Sequence, residues 1–418
     1  MRWVMVVFLF FMYMINYLDK AIIGFAAIPI MNDLHLNYSQ WGMVGSSFYW
    51  LFSIGGILGA SLSDRIGTKK ILIIMGFAWS FSQLGAFAVY GLPILILTRV
   101  ILGAFEGPYL ATSVSHLTKW FPPERRGLAI SITNSGSLAA KLLTPFIIFI
   151  IGSVGWRMGF GFLGTLSIIW VILWIWIGKD HPLNKVNKHN TAIKERKTKW
   201  ADIYPALLSR TFIFTCLAFF STFWVLAWSL VWEPTYLTKI IHLTPKQMGL
   251  YYAIVGFPIT IGTILLSSCS DYIYKKTQSI MKSRVFVAGG TLVLGALCFY
   301  SLVFIRSTIP ALIMLSLAGL FTNIMFPLAP QIVNHLLPEK KGLLSGVLIG
   351  IANTAGIISP IITGFVVQAG GSDVRLGFNH SVELAVGMLL VTGLLFLFFA
   401  KPNKNETPAY VKQTNASL

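Results

Sequence analysis

Charge is scarce in this chain. Asp, Glu, Lys and Arg make up 11% of its 418 residues, against about 25% in soluble domains. Acidic residues are rarer than basic ones, 14 against 32, and the formal net charge is +18. With 56% hydrophobic residues, this shortage excludes a fold whose main solvent is water. A basic surplus also marks nucleic-acid-binding proteins, but those present a soluble basic face, whereas here Lys and Arg punctuate apolar runs; no nucleic-acid partner is expected. Cysteine is nearly absent. Cys216, Cys269 and Cys298 lie in apolar runs without metal-ligand spacing and read as core packing residues. No phosphate loop, metal cluster or nucleophile triad occurs, so neither an enzyme nor a cofactor is expected.

Long apolar runs are abundant. A helix needs roughly 20 apolar residues to cross the hydrocarbon core, because every backbone amide must find its partner within the lipid. About twelve runs qualify, over residues 3–31, 42–63, 71–90, 93–118, 127–151, 157–178, 211–237, 247–269, 285–305, 309–335, 342–369 and 380–400. The first is too long for a signal-peptide core and is expected to stay as a helix. If the N-terminus is cytoplasmic, the even-numbered connections hold most of the basic residues, among them Arg65, Lys69, Lys70, Arg125, Arg126, Lys340 and Lys341, while the opposite side holds only Arg157, Lys239, Lys246, Arg306 and Arg375. This bias predicts a multi-pass protein of the cell membrane with both termini cytoplasmic.

A polar stretch at 179–210 divides the chain. Pro123-Glu124-Arg125-Arg126-Gly127 matches Pro338-Glu339-Lys340-Lys341-Gly342, and Thr144-Pro145 matches Ser359-Pro360, all at one offset of 215 residues. The expected organisation is therefore a six-helix bundle at 1–178, a cytoplasmic linker at 179–210, a second bundle at 211–400 and a cytoplasmic tail at 401–418. A repeated six-helix half is the architecture of a transporter that rocks two bundles about a central site.

Five charges fall deep in spans: Asp19, Lys20, Arg99, Glu106 and Lys141. Each ionised group near the bilayer centre costs at least roughly 2.5–3.5 kcal/mol, so each needs a partner or a water-filled cavity. Three cations against two carboxylates leave one positive charge over, which suits an anionic substrate. Arg99 and Glu106 are seven residues apart, about 700° of rotation and ~10.5 Å of rise, so they share a face without forming one direct salt bridge. Asp19 and Lys20 point about 100° apart and meet different neighbours, Arg99 or Lys141 being available to Asp19. Asn134, Ser137 and Lys141 line one side of the fifth span. Arg99 also lies near enough to its helix start to snorkel, and Glu233 lies close to the end of the seventh span, where a carboxylate reaches water and suits a gate or surface role.

Gly59-Ala60-Ser61-Leu62-Ser63-Asp64-Arg65-Ile66-Gly67-Thr68-Lys69-Lys70 after the second span resembles the signature loop of the major facilitator superfamily, and Ser267-Ser268-Cys269-Ser270-Asp271 is a degraded copy. Small residues there admit a neighbouring helix closely, and a carboxylate holds helix termini or cations in one conformation. Asp64, Arg65 and Asp271 are thus expected to gate. Asn16-Tyr17-Leu18-Asp19-Lys20, Arg99-Val100-Ile101-Leu102-Gly103-Ala104-Phe105-Glu106-Gly107-Pro108, Lys119-Trp120-Phe121-Pro122-Pro123, Pro234-Thr235-Tyr236-Leu237 and Asn353-Thr354-Ala355-Gly356 together resemble the anion:cation symporter family, which includes bacterial galactonate and hexuronate transporters and vesicular glutamate transporters.

That resemblance covers nearly the whole chain. It implies the major facilitator fold, two pseudo-symmetric six-helix bundles, carrying small organic anions with protons; a monomer is expected. Asp19 and Glu106 are implied as proton-sensitive carboxylates, Arg99 as their cationic partner, and Tyr17, Asn353 and Tyr49 as pocket residues. Lys20, Asn134, Ser137 and Lys141 complete the expected substrate contacts. Two other functions fit a chain of this kind: a proton-antiport exporter, and a transporter-like sensor signalling through the linker.

Overall fold

A computed structural model describes residues 1–180 and 200–402, apart from the side chains of Asp64, Trp200, Ala201 and Asp202. Among the described residues there is no strand, and twelve helices have the length and composition to cross a membrane: α1 (Arg2–Phe25), α2 (Tyr38–Ser63), α3 (Thr68–Ala88), α4 (Leu92–Trp120), α5 (Pro123–Val154), α6 (Trp156–Ile177), α7 (Arg210–Val231), α8 (Pro245–Thr277), α9 (Met281–Ser301), α10 (Thr308–Leu336), α11 (Pro338–Ala369) and α12 (Val374–Phe399). Every expected span is present. Most of the linker, the tail beyond residue 402 and the side chain of Asp64, which the sequence expects to gate, lie outside the described residues.

Helix ends depart from the apolar runs where polar residues do the capping. The second span begins at Tyr38 because Asn37 and Gln40 form a reciprocal cap: the Asn37 side chain accepts from the Gln40 N–H at 2.9 Å, and the Gln40 side chain accepts from the Asn37 N–H at 3.0 Å. Pro123, at the first turn of α5, has no N–H to leave unsatisfied. The first span stops at Phe25 and a short helix, Ala27–Asp33, follows it. The seventh stops at Val231, and the separate helix Glu233–Lys239 continues the chain.

Hydrophobic residues cover the outside. Ile57, Phe81, Phe149, Ile264 and Phe398 are each at least 60% exposed, a surface that lipid tolerates and water does not. Cys269 is exposed as well, whereas Cys216 is buried and Cys298 is intermediate. The expectation that all three cysteines pack in the core therefore fails for Cys269, which lies on an outward face of α8.

Contacts divide the described residues into two compact units, one of residues 1–180, 228–256 and 360–374, the other of 200–227, 257–359 and 375–402. In the first, glycines bring α2 and α4 into backbone contact: a Cβ on Gly103 would overlap the Phe48 carbonyl, and one on Gly107 the Phe52 carbonyl. Lipid supplies no hydrophobic force between helices, so close approach at small residues carries the packing. Similarly, Gly24 of α1 lies against the Leu230 carbonyl and Pro234, and Gly42 against Pro360, which places segments from after residue 227 beside α1 and α2. Buried aromatics fill the remainder, with their polar ends satisfied: the Tyr109 hydroxyl donates to the Leu9 carbonyl at 2.7 Å and Trp170 Nε1 to the Phe8 carbonyl at 2.8 Å.

The connection after α2 is clamped. Gly67 has φ +95°, and the Asp180 carboxylate stands where its Cβ would be. Asp180 accepts from the Thr68 hydroxyl at 2.7 Å and the Lys69 N–H at 3.0 Å, capping α3, while Thr68 Oγ1 meets buried His116 Nδ1 at 2.8 Å. In the second unit Asp271 pairs with Arg284 at 2.5 Å, and the wide turn Met281–Val285 at the head of α9 carries that arginine.

Candidate functional site

Three helices of the first unit meet at the middle of α1. Asp19 is fully buried there, and its carboxylate Oδ1 accepts from Gln83 Nε2 of α3 at 2.6 Å. The next residue turns to another neighbour, as helical geometry requires. Lys20 Nζ lies 3.3 Å from Glu106 Oε2 of α4, donates to Asn16 Oδ1 one turn back at 2.7 Å, and stands over the Phe48 and Phe52 rings at 5.9 and 5.4 Å.

Arg99, one face of α4 below Glu106, is 2% exposed and does not snorkel. Its two terminal nitrogens both lie 3.4 Å from the backbone carbonyl of Asp19, and its guanidinium carbon sits 5.6 Å from the Phe48 centroid. The arginine therefore approaches Asp19 through the peptide, not through the carboxylate. Tyr49 stacks edge-on to Phe48 at 5.1 Å and lies within electrostatic reach of Glu106 and Arg99. The stripe foreseen on α4 thus faces α1 and α2.

A second cluster adjoins the first through Tyr17. Lys141 Nζ of α5 lies 5.7 Å from the Tyr17 ring, and its stem crosses Gly256 of α8, where a Cβ would stand 2.6 Å from Lys141 Cδ. Around buried Glu233 stand Ser229, Tyr251, Tyr252 and Lys141. Sequence position placed Glu233 near water, but the bend after Val231 turns it inward against α8 and α5. This changes the charge count. With buried Glu233 included, the three carboxylates Asp19, Glu106 and Glu233 match the three cations Arg99, which is buried, and Lys20 and Lys141, which are partly buried, so the expected surplus positive charge does not exist while all are ionised.

The other expected residues are spread more widely. Ser137 is half-buried and spends its hydroxyl on the Asn134 carbonyl at 2.9 Å, while the Asn134 side chain is exposed. Neither is among the hydrogen-bonded residues of the Asp19–Glu106 cluster. Asn353 is buried in α11, within the second compact unit. Arg65 is exposed, and Asp271 is held by Arg284 rather than simply solvated. Gln83 was missed by the sequence reading: an uncharged amide does not enter a count of charges, although an amide deep in an apolar span was the available signal.

Several polar atoms at the site are buried without a hydrogen bond to the protein, namely Asn16 Nδ2, Asp19 Oδ2, Arg99 Nε and both oxygens of Glu106. A buried donor or acceptor left unsatisfied costs about 1–3 kcal/mol. Such a group of donors and acceptors suits an exchangeable polar occupant. Among the described residues no three His, Cys, Asp or Glu side chains come together as a metal site.

Twelve membrane-length helices, a six-helix internal repeat and buried, interleaved charges define a multi-pass membrane transporter. The chain belongs to the Major Facilitator Superfamily, which residues 9–315 and 279–418 match. It is 30% identical over 403 residues to a hexuronate transporter of Bacillus subtilis, covering 95% of this chain and 94% of that one. A probable galactarate/D-glucarate transporter of the same organism is 27% identical over 432 residues, covering 96% and 92%. The crystal structure of a bacterial homolog of the human lysosomal transporter Spinster shares the fold, with a TM-score of 0.84, 17% identity and coverage of 97% and 98%. Membership places the chain among transporters, not enzymes, in agreement with the motifs read from its sequence.

Proposed function

We propose that this transporter carries small organic anions of the sugar-acid class inward together with protons. One observation carries the reading: two buried carboxylates, Asp19 and Glu106, alternate with the cations Lys20 and Arg99 in a single cluster in which Asn16 Nδ2, Asp19 Oδ2 and Arg99 Nε make no hydrogen bond to the protein. The relatives named for hexuronate and for galactarate and glucarate supply the substrate class.

The balanced charge count gives the coupling its logic. With every carboxylate ionised the cluster has no net charge to offer an anion. A proton on Glu106 ends its attraction for Lys20, and the freed ammonium, with Arg99, takes the substrate carboxylate. Proton and anion then favour each other's binding by one shared coupling free energy, about 1.4 kcal/mol for each tenfold change in affinity. Loss of the proton to the other compartment restores the internal pair and expels the anion.

Alternating access between two six-helix halves at 1–178 and 211–400 moves the site, with Asp64, Arg65 and Asp271 gating, in a monomer of the cell membrane with cytoplasmic termini. Tyr17, Tyr49, Asn134, Ser137, Lys141 and Asn353 complete the substrate contacts. The test is uptake of a labelled hexuronate by vesicles of purified protein, acid outside and neutral within. Accumulation above the outside concentration is expected; uptake that stops at equilibrium rejects proton coupling, and no uptake rejects the substrate class.

A further inference from the structure

Apart from the charged cluster, a cavity of about 290 Å³ opens where the short helix Ala27–Asp33, the head of α2, the short helix Glu233–Lys239 and the end of α11 come together. All of its lining belongs to one compact unit. Its walls are of two kinds: Ile28 and Met31 supply apolar surface, and Asn32, Tyr38, Thr235, Lys239 and Gln368 supply polar groups. Gln368 Oε1 accepts from the Tyr38 N–H at 3.0 Å and so ties one edge of the cavity together. Two features point to a ligand. Lys239 is the one charged side chain of the lining, and among the described residues no carboxylate pairs with it; Asp33, next to Asn32, is already taken by Arg157 at 2.6 Å. Thr235 is 1% exposed, and its hydroxyl is buried without a hydrogen-bond partner, a state that costs stability unless something else supplies the bond.

We propose that this cavity is a second anion site, which holds one molecule of a hydroxylated carboxylic acid at the mouth of the transporter, separate from the Lys20–Arg99 cluster. This rests on the reading that the substrate is a sugar acid. Lys239 takes the carboxylate, Thr235 and Asn32 hydrogen-bond the hydroxyls, and Ile28 and Met31 cover the C–H face. The volume lies just under the roughly 300–1,000 Å³ of sites for drug-sized ligands, which suits a six-carbon acid rather than a phospholipid. Lys239 is exposed, so salt screens its attraction, and the site is weaker than the buried cluster. On the side opposite the basic connections, expected to face outward, a weak site of this kind raises the local concentration of anion without retaining it.

The experiment is equilibrium dialysis of labelled hexuronate against the purified full-length protein, which needs no transport and so separates binding from coupling. The parent should show two components, the weaker one falling as salt is raised. Arg99→Ala should lose the tight component and keep the weak one. Lys239→Gln should keep the tight component and weaken the other at least roughly tenfold, as expected when one charged partner is removed. Thr235→Val removes a hydroxyl that has no partner in the protein, so the unfolding temperature should hold or rise while the weak component falls severalfold; a merely structural threonine would not move the two in this way. Acetate, a carboxylate without hydroxyls, should displace the weak component at least roughly tenfold less well than unlabelled hexuronate.

A single component in the parent, a weak component that survives Lys239→Gln at the parent's affinity, or one that acetate displaces as readily as hexuronate does, overturns the proposal while leaving the central site standing. A parent that binds no hexuronate overturns the substrate reading, and this inference with it.

Discussion

Lys20 Nζ lies 3.3 Å from Glu106 Oε2, yet the lysine side chain is 23% exposed and the glutamate side chain not at all. The pair joins a fully enclosed acid to a base that reaches the edge of the cluster. That asymmetry suits a switch in which the lysine changes partner while the acid stays in place. Glu106→Gln imitates the protonated acid and leaves Lys20 without its anion. The variant is expected to bind hexuronate and exchange it across the membrane, but not to concentrate it with a proton gradient. Accumulation with the parent's dependence on external pH would move the coupling to Asp19.

Arg99 has no carboxylate partner of its own and faces the peptide of Asp19. Arg99→Ala should reduce anion affinity at least roughly thirtyfold, about 2 kcal/mol, as expected when one charged partner of a buried pair is truncated. Insertion and thermal stability should largely persist, since the Asp19–Gln83 bond is untouched. Binding at the parent's affinity, measured by thermal shift with added hexuronate, would remove Arg99 from the site.

Gln83 donates to the Asp19 carboxylate at 2.6 Å. Gln83→Leu leaves that oxygen unsatisfied at a cost of about 1–3 kcal/mol. A lower unfolding temperature in detergent, with slower transport, is expected. An unchanged unfolding temperature together with parent transport would show that the hydrogen bond has no role.

Asp33, outside the membrane spans, accepts from Arg157 at 2.6 Å and from Trp156 at 3.2 Å. The Arg157 hydrogen bond, chiefly, holds its carboxyl below the usual carboxylate range against a small opposing effect of burial, with Trp156 adding to it. A carboxyl so lowered stabilises the fold above its unfolded value, near 3.9, and loses that contribution as pH falls through its lower folded value. From about pH 5 to 8 this pair contributes a constant amount, at most about 1 kcal/mol given its exposure. Asp33→Asn should therefore leave the pH profile of transport between those limits unchanged; a displaced profile would put Asp33 in the coupling.

The spans and the clustered charges Asp19, Lys20, Arg99 and Glu106 were legible in the sequence because each is local information. An apolar run of sufficient length has one fate in a bilayer, and an ionised group inside it stands out. The 100° between Asp19 and Lys20 foretold their different neighbours, Gln83 on α3 and Glu106 on α4. What stayed hidden depends on rotation and bending. Helical registry gives the face on which Arg99 lies but not that it meets a carbonyl, and it cannot foresee that the break at Trp232 turns Glu233 inward. That one misplaced carboxylate altered the charge count: the surplus positive charge expected from the sequence is absent while all the groups are ionised, and the proposed mechanism therefore has protonation create it.

Proton movement accompanying the substrate tests this account most directly. Vesicles of purified protein, carrying a pH-sensitive dye inside and no preset proton gradient, are supplied with hexuronate from outside. Acidification of the lumen as substrate enters, abolished in Glu106→Gln, is the predicted result. Hexuronate entry without a change in lumenal pH, or with alkalinisation, would contradict symport.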